Sequence, residues 1–373
     1  MLPVGRYESA LTRESVEAAE EAREGVSERT ETNGRGVTLE EVARIAGVSR
    51  ATVSRVVNGN PRVNHDTRRA VEKAVERLGY IPNPAARSLV TRRSESVALV
   101  IAEPTGRLFV DPYFPRLLRG VGAELSARGL QLVLLMPEDG RDEHRVERYL
   151  ASGHVDGALL VSLHGDDPLP EHLASRGVPV VVGGRPPHGA AVSYVDVDNV
   201  QGARSAVEHL LKTGRRTVAT IAGPSDMAPG IDRLEGYRQA LRAAGLAHEP
   251  ELETAADFSD NGGEAAMRRL LEARPEVDGV FAASDLMAIG AIRALRSAGR
   301  RVPDDVGVVG YDDSIARTVD PPLTSVRQPV EEMGREMTRL LVQAIEEGGS
   351  VPRRVVLGTD LVVRRSSGRT AGA

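Results

Sequence analysis

Between residues 37 and 80, apolar side chains recur every three or four positions in three short bursts. Leu39, Val42, Ala43 and Ala46 form the first, entered through Thr38 as an N-cap and closed by Gly47. After Val48, Ser49 caps a second burst of Val53, Val56 and Val57; a third opens near Asn64, carries Val71, Ala74, Val75 and Leu78, and stops at Gly79. Such spacing puts each set on one side of a helix, and a small polar residue before with glycine after defines the ends. The pattern predicts three short helices. Residues 1–36 show no comparable order beyond a weak alanine and glutamate stretch near Val16 to Arg23, and predict a disordered extension.

From Ser96 the rhythm changes. Val97–Ala102, Leu130–Met136, Gly157–Val161, Val178–Val182, Thr217–Ala222, Gly279–Ala283 and Val306–Gly310 read as buried strands, with a last strand over Arg353–Arg365. Amphipathic stretches over Tyr113–Arg128, Val200–Thr213, Arg233–Ala244, Gly263–Ala273 and Leu286–Ala298 lie between several of them. Alternation of this kind predicts an α/β fold, with parallel sheets covered on both faces. The strands are too many for one sheet. Two side-by-side Rossmann-like subdomains with a cleft between them fit better, and such sheets bind ligands at the carboxyl ends of their strands.

Composition narrows the function classes. The 373 residues are 41% hydrophobic and 27% charged, with no apolar run long enough for a membrane span and no cysteine. Zero cysteines exclude disulfides, thiolate zinc sites, iron-sulfur clusters and a cysteine nucleophile, and suit a reducing cytoplasm. Glu8, Glu14, Glu17, Glu20, Glu21 and Glu24 stand where a signal peptide needs a basic start and an apolar run, so a cytoplasmic location is expected. The net charge of −5 conceals an asymmetry. Residues 37–93 hold eleven Lys and Arg against five Asp and Glu, whereas residues 1–36 and the long remainder are both net acidic. A basic module ahead of an acidic body is a nucleic-acid footprint or a solvated face.

The run from Val37 to Asn58 favours the first reading. It has alanine where helices must approach, glycine at the turn, and valines only on the inner side of the second helix, leaving Arg50, Ala51, Ser54 and Arg55 outward with no acid among them. Donors, hydroxyls and a small apolar surface on a short helix suit base edges and phosphates in a major groove. Residues 37–93 resemble the DNA-binding headpiece of the lactose-repressor (LacI/GalR) family. The resemblance rests on Val37-Thr38-Leu39, Ala43, Ala46-Gly47-Val48-Ser49, Thr52 to Asn58, Thr67-Arg68 and Leu78-Gly79-Tyr80-Ile81-Pro82-Asn83. It implies a helix-turn-helix domain over 37–82, a hinge helix and linker over 83–93 and an effector-binding and dimerisation domain over 94–373. It adds Thr38, Ser49, Thr52, Asn58, Arg62, Thr67, Asn83 and Arg87 to the implied DNA contacts, with Leu89 as a wedge in the minor groove. An apolar residue between Arg87 and Arg92 suits that task, because it offsets the unstacking cost of a kink while the arginines hold phosphates; a linker residue packed on the body is the alternative.

The resemblance continues through Val155-Asp156-Gly157, Asp196-Val197-Asp198-Asn199, Arg233-Leu234-Glu235-Gly236-Tyr237, Ser284-Asp285-Leu286-Met287-Ala288 and Gly310-Tyr311-Asp312-Asp313. It implies two Rossmann-like subdomains of periplasmic-binding-protein type holding a small-molecule effector, a sugar by expectation. A sugar cleft needs an aromatic face for C–H groups and charged or amide groups for hydroxyls. Tyr113 and Phe114, which follow Asp111-Pro112 after the first strand of the body, supply the aromatics or simply pack a helix start. Arg233, expected to open a helix, grips effector or lies on the surface. Asp312 binds hydroxyls or caps a helix, and Asp198, Asn199, Asp285 and Gln328 complete the candidates. Gly120-Val121-Gly122 has Leu125 where a dinucleotide loop needs its third glycine and lies in an amphipathic stretch, so it implies no cofactor. No metal-ligand spacing or nucleophile motif appears, and the Asp304-Asp305 and Asp312-Asp313 pairs each abut a strand end with no basic or histidine partner at helical spacing. The expectation is a regulator and not an enzyme: a homodimeric, sugar-responsive repressor on a palindromic operator in double-stranded DNA. Its tail lacks the leucine heptads of a tetramerising segment. A solute-binding transport protein, or an α/β enzyme with an accessory DNA module, is the rival.

Overall fold

The structure, a computed structural model, describes residues 37–81, 93–137, 140–186, 191–349 and 351–368. The chain divides into two units, Met1–Arg92 and Arg93–Ala373.

In the first unit α1 (Leu39–Ala46), α2 (Arg50–Val57) and α3 (His65–Leu78) form the three-helix module. Thr38 and Glu41 close a capping box on α1, Ser49 accepts from Thr52 N on α2, and Asn64 accepts from Thr67 N on α3. Gly47 and Gly79 end α1 and α3 at φ of 65° and 60°, a region where a side chain costs strain. Val42, Val53 and Val71 are fully buried and meet in one small core with Val56, Ala74 and Tyr80.

The second unit holds two sheets of six strands. In the first lobe β1 (Ser96–Ile101), β2 (Gln131–Leu135), β3 (Gly157–Val161), β4 (Val180–Gly183), β5 (Ser193–Val197) and β11 (Arg354–Leu357) run in the order β11-β5-β4-β3-β1-β2, all parallel. In the second lobe β6 (Val218–Ala222), β7 (Glu253–Ala255), β8 (Gly279–Ala282), β9 (Gly307–Asp312), β10 (Thr324–Arg327) and β12 (Asp360–Val362) run β12-β10-β9-β8-β6-β7. Only β12 is antiparallel, on β10. Helices cover both faces of each sheet, and the strands are buried nearly end to end, as parallel sheets require. Those nearest the cleft are α4 (Thr105–Val110) and α5 (Tyr113–Ser126) in the first lobe, and α8 (Asn199–Lys212), α9 (Ala228–Ala243), α10 (Asp260–Ala273) and α11 (Asp285–Ser297) in the second. Numbered in the same chain order, α6 is Gly140–Ala151 and α7 is Leu169–Ser175.

The long helix α12 (Val330–Glu347) returns to the first lobe and packs on α5 and β3 to β5. The chain therefore crosses between lobes three times, at 197–199, 327–330 and 357–360. Gly120 and Gly334 bring α5 and α12 into backbone contact, since a β-carbon on Gly120 would collide with the Glu331 carbonyl and one on Gly334 would stand 2.6 Å from Leu117 O. The glycine pair that mimics a dinucleotide loop thus includes a helix-packing position.

Several boundaries differ from the sequence reading. Helix α9 begins at Ala228 instead of Arg233, because Gly230 lies inside the helix, where its missing side chain admits the Pro224 carbonyl. The expected strand over Arg353–Arg365 is two strands in two sheets, split at Gly358 and Thr359 by a lobe crossing. Short strands β5, β7 and β10 lack the long apolar runs that made the others legible.

Candidate functional site

The headpiece presents a basic, exposed helix α2. Arg50, Ala51, Arg55 and Asn58 are exposed; Thr52 and Ser54 are half-buried. Arg50 is not unpaired: its Nε lies 2.8 Å from Glu40 Oε1 on α1, both side chains more than half exposed at 68% and 62%. Exposed pairs of this kind contribute only about 0–1 kcal/mol, so a phosphate or base competes for the guanidinium at little cost. Ser49 and Thr38 spend their hydroxyls as helix caps. Ser54 Oγ accepts from Asn58 Nδ2 at 3.3 Å, Arg62 is exposed beyond α2, and Thr67 sits in the first turn of α3. Asn83, Arg87 and Leu89 lie outside the described residues.

The body's candidates meet in the cleft between its lobes. A chamber there is lined by residues at the carboxyl ends of strands from both sheets: Asp111, Tyr113 and Phe114 after β1, Ser162 after β3, Arg185 after β4, Asp196 and Asn199 around the end of β5, Met227 after β6, Phe258 after β7, Ser284 after β8, Asp312 ending β9 and Gln328 after β10. Ser162, Phe258 and Asp312 have φ of 57°, 64° and 110°. Left-handed backbone at non-glycine residues costs about 1–3 kcal/mol each and gathers at functional sites.

Arg233, in the second turn of α9, is 5% exposed. Its Nε donates to Asn199 Oδ1 at 2.9 Å, its Nη1 donates to Ala283 O at 2.6 Å, and its guanidinium lies over the Tyr311 ring, 3.7 Å from the centroid. Nη2 takes no protein hydrogen bond among the described residues. The position contradicts a surface arginine at a helix start: one turn of helix, one amide and one ring fix the fork inside the cleft. Asp312 faces it, Oδ1 3.9 Å from Nη1, and is held by Gln328 Nε2 and by Asp285 N at 3.4 Å. Burial pushes its carboxyl up from the ordinary range, and Arg233 opposes that shift. Burial also raises Asp111 and Asp196, against backbone donors from Tyr113 to the first and from Val197 and Arg185 to the second.

Tyr113, Phe114, Asn199, Arg233, Asp312 and Gln328 thus come together. Tyr113 is half-buried on the chamber wall, its ring 5.3 Å from Phe114 edge-on, while Phe114 is 1% exposed and belongs as much to the first lobe's core. Two candidates do not reach the chamber. Asp198 is exposed and caps α8 through Gln201 N at 2.9 Å. Asp285 is fully buried behind the wall, where Ser325 Oγ and Ser314 N donate to it at 2.6 and 2.9 Å; Ser284 lines the chamber in its place. Sequence reading passed over Arg107, Arg185, Asp196 and Phe258 as site residues. Only Asp196, inside a matched word next to Asn199, carried a signal that would have found it. Among the described residues no three histidine, aspartate or glutamate side chains gather to hold a metal ion, and no helix is long and apolar enough to cross a membrane.

Comparison with known proteins covers both units. Residues 38–83 match bacterial regulatory proteins, lacI family, and residues 207–367 match a periplasmic binding protein-like domain. The chain is 55% identical to the HTH-type transcriptional regulator CelR of Thermobifida fusca over 88% of its own length and 98% of the relative's. It is 35% identical to the ribose operon repressor of Escherichia coli K12 over 88% and 99%. Among solved structures it superposes on a complex of the regulator CelR with cellobiose at a TM-score of 0.72, 52% identity and coverage of 88% and 99%. A lac repressor dimer bound to operator and an anti-inducer matches at a TM-score of 0.79 and 27% identity, over 90% of this chain and all of that one.

Proposed function

The chain belongs to the lacI family of bacterial regulatory proteins, and from that premise we infer that it is a DNA-binding transcriptional repressor whose body senses a sugar. The observation that carries the sugar reading is the set of polar groups in the chamber: Arg233, fixed through Nε and Nη1 and facing Asp312, with Asp111, Asp196 and Asn199 around it and Tyr113 on the wall. Alternating donors and acceptors beside an aromatic face match the hydroxyls and C–H face of a pyranose. Relatives named for ribose and crystallised with cellobiose support the same ligand class.

In this reading residues 37–82 read one half of a palindromic operator, residues 83–93 are the hinge, with Leu89 as wedge, and residues 94–373 bind effector and dimerise. The homodimer follows because one short recognition helix reads too few base pairs alone. The protein acts in the cytoplasm as a binding protein, not an enzyme. Effector bonded to both lobes favours one closure angle, and a ligand shifts an equilibrium only by its differential affinity for the two states. Residues Asn199 and Gln328 sit on two of the three crossings and line the chamber, so ligand contact and lobe rotation share the same segments. Thermal-shift screening of the protein against sugars, followed by operator release in a mobility-shift assay, tests the assignment. A sugar that binds the folded state raises stability by RT ln(1 + [L]/Kd). The sugar reading falls if no sugar shifts the melting curve or releases the operator.

A further inference from the structure

Helix α5 reaches across the cleft. Arg116, one turn after the chamber-wall residue Tyr113, is half-buried, and its Nη1 and Nη2 donate to Asp312 O at 3.2 Å and to Gln328 O at 3.5 Å, at the ends of β9 and β10 in the opposite lobe. The next arginine of the helix behaves differently: Arg119 pairs with Glu331 on α12 at 2.7 Å, within its own lobe. Among the described residues no carboxylate stands within ion-pair distance of Arg116, so its charge is spent on two main-chain carbonyls. Asp312 O belongs to the peptide that joins Asp312 to Asp313, two successive non-glycine residues in left-handed backbone at φ of 110° and 48°. A conformation of this kind persists only where its surroundings over-determine it. The N–H of that peptide donates to Ser325 Oγ at 3.0 Å, and the Asp313 carboxylate pairs with Arg364 at 2.6 Å and Arg327 at 2.8 Å, all within the second lobe. Its carbonyl is held from the first lobe. Gln328 is the residue whose Nε2 donates to the Asp312 carboxylate. One guanidinium therefore fixes the main chain at both ends of the Asp312–Gln328 bond, and its planar fork, unlike an ammonium, reaches two acceptors in set directions.

We propose that Arg116 is a positioning residue that ties effector affinity to the arrangement of the lobes: it holds Asp312 and Gln328 in their binding orientation only while α5 and the second lobe stand as they do here. The proposal rests on the sugar reading of the chamber. A rotation that withdraws α5 frees the Asp312–Asp313 carbonyl, and the carboxylate facing Arg233 loses its alignment. Sugar bound to Asp312 must in turn favour the arrangement in which Arg116 is engaged, because coupling between two equilibria is reciprocal. The test uses the full chain. Since it has no cysteine, Ala174→Cys on α7 and Ala273→Cys on α10, both exposed and one on each lobe, give two unique sites for nitroxide labels. Double electron–electron resonance, with labelled protein diluted into unlabelled, reads the distance between lobes. Isothermal titration with cellobiose and ribose reads sugar affinity, and a mobility shift on an operator selected from random duplexes reads DNA affinity. Arg116→Ala is expected to bind the sugar at least tenfold more weakly than the parent, with Arg116→Lys between the two. Without sugar its label distances should lengthen or broaden, and its operator affinity should equal or exceed the parent's, since operator and effector favour opposite arrangements. Sugar affinity within twofold of the parent, an unchanged distance distribution, or joint loss of sugar and operator binding, as a merely structural residue would give, overturns the assignment. A parent that binds operator but no sugar overturns the sugar reading, and the distances then decide Arg116 alone: a shift upholds its hold on the lobes and none removes it. If Arg116→Ala does not fold by circular dichroism, Arg116→Gln takes its place in every measurement.

Discussion

At the scale of single residues the cleft is an arrangement of partly satisfied charges. Removing Arg233 strips Asn199 Oδ1 and Ala283 O of a buried donor and leaves Asp312 without its facing cation. Arg233→Ala is therefore expected to abolish the response to sugar and to cost about 1–3 kcal/mol of stability through unsatisfied groups, while operator binding persists below the lowered melting point. Repression measured with and without sugar, beside urea unfolding, checks both halves. On α2, Arg50→Ala should weaken a specific operator by about 1–3 kcal/mol if the guanidinium leaves Glu40 for a guanine, and scrambled DNA by less. Equal losses on both DNAs would assign it to phosphate. Arg50 and Arg55 were legible as an outward cationic pair because the inward valines fix the helix phase. The Glu40 partner was not, because it comes from a neighbouring helix. Asp285 shows the opposite failure: a matched word placed it near the site, and only the fold reveals that its carboxylate faces Ser314 and Ser325, away from the chamber.

At the scale of elements, the lobes are pinned across the cleft mouth by the loops after β3 and β6. His164 Nδ1 lies 2.9 Å from Asp226 Oδ2, Gly165 N donates to Asp226 O at 2.8 Å, and Arg185 reaches Asp232 on α9. The buried Glu103 and then Asp226 raise His164 to about 8, against desolvation; Glu103, though further off at 3.5 Å, acts more strongly because only 3% of its side chain meets solvent. A raised histidine contributes fully below its free value and loses the contribution as pH climbs through the raised one. Glu103 stays beside His164 on the first lobe, so only the Asp226 share of the shift depends on closure; affinity for a sugar should decline modestly between pH 7 and 9 in the parent and decline less in His164→Asn, as titration calorimetry at each pH would record. The packing of α5 on α12 gives another expectation. Gly120→Val drives a side chain into the Glu331 backbone and should destabilise the body by at least about 1–3 kcal/mol in urea unfolding, whereas a dinucleotide-loop glycine would affect ligand binding alone. Five helices of the body were read from their periodicity, while α6 and the long α12 were passed over although each is long enough to carry a regular pattern. Helix α4 and strands β5, β7 and β10 were not readable, since three to six residues carry too little pattern to stand out.

For the whole molecule, the division of charge predicts the salt response. A headpiece that makes about six to ten phosphate contacts loses roughly three to five decades of affinity between low and moderate salt, and salt-insensitive binding would contradict the assignment. Two lobes were foreseeable from the number of strands; that each lobe is built from separated pieces of chain was not, because strand pairing across long sequence distances leaves no local pattern. Strand β11 joins Tyr194 to Arg354 and β12 joins Arg327 to Asp360, so both sheets wait for their edges until residues 354–362 exist. On the ribosome the headpiece, whose contacts are local, has everything it needs once residue 81 has emerged. The body does not, and neither lobe can complete its sheet until synthesis has run past the other. A partly made chain therefore carries a finished DNA-binding module ahead of an unfinished sensor, able to meet DNA before it is able to answer a sugar.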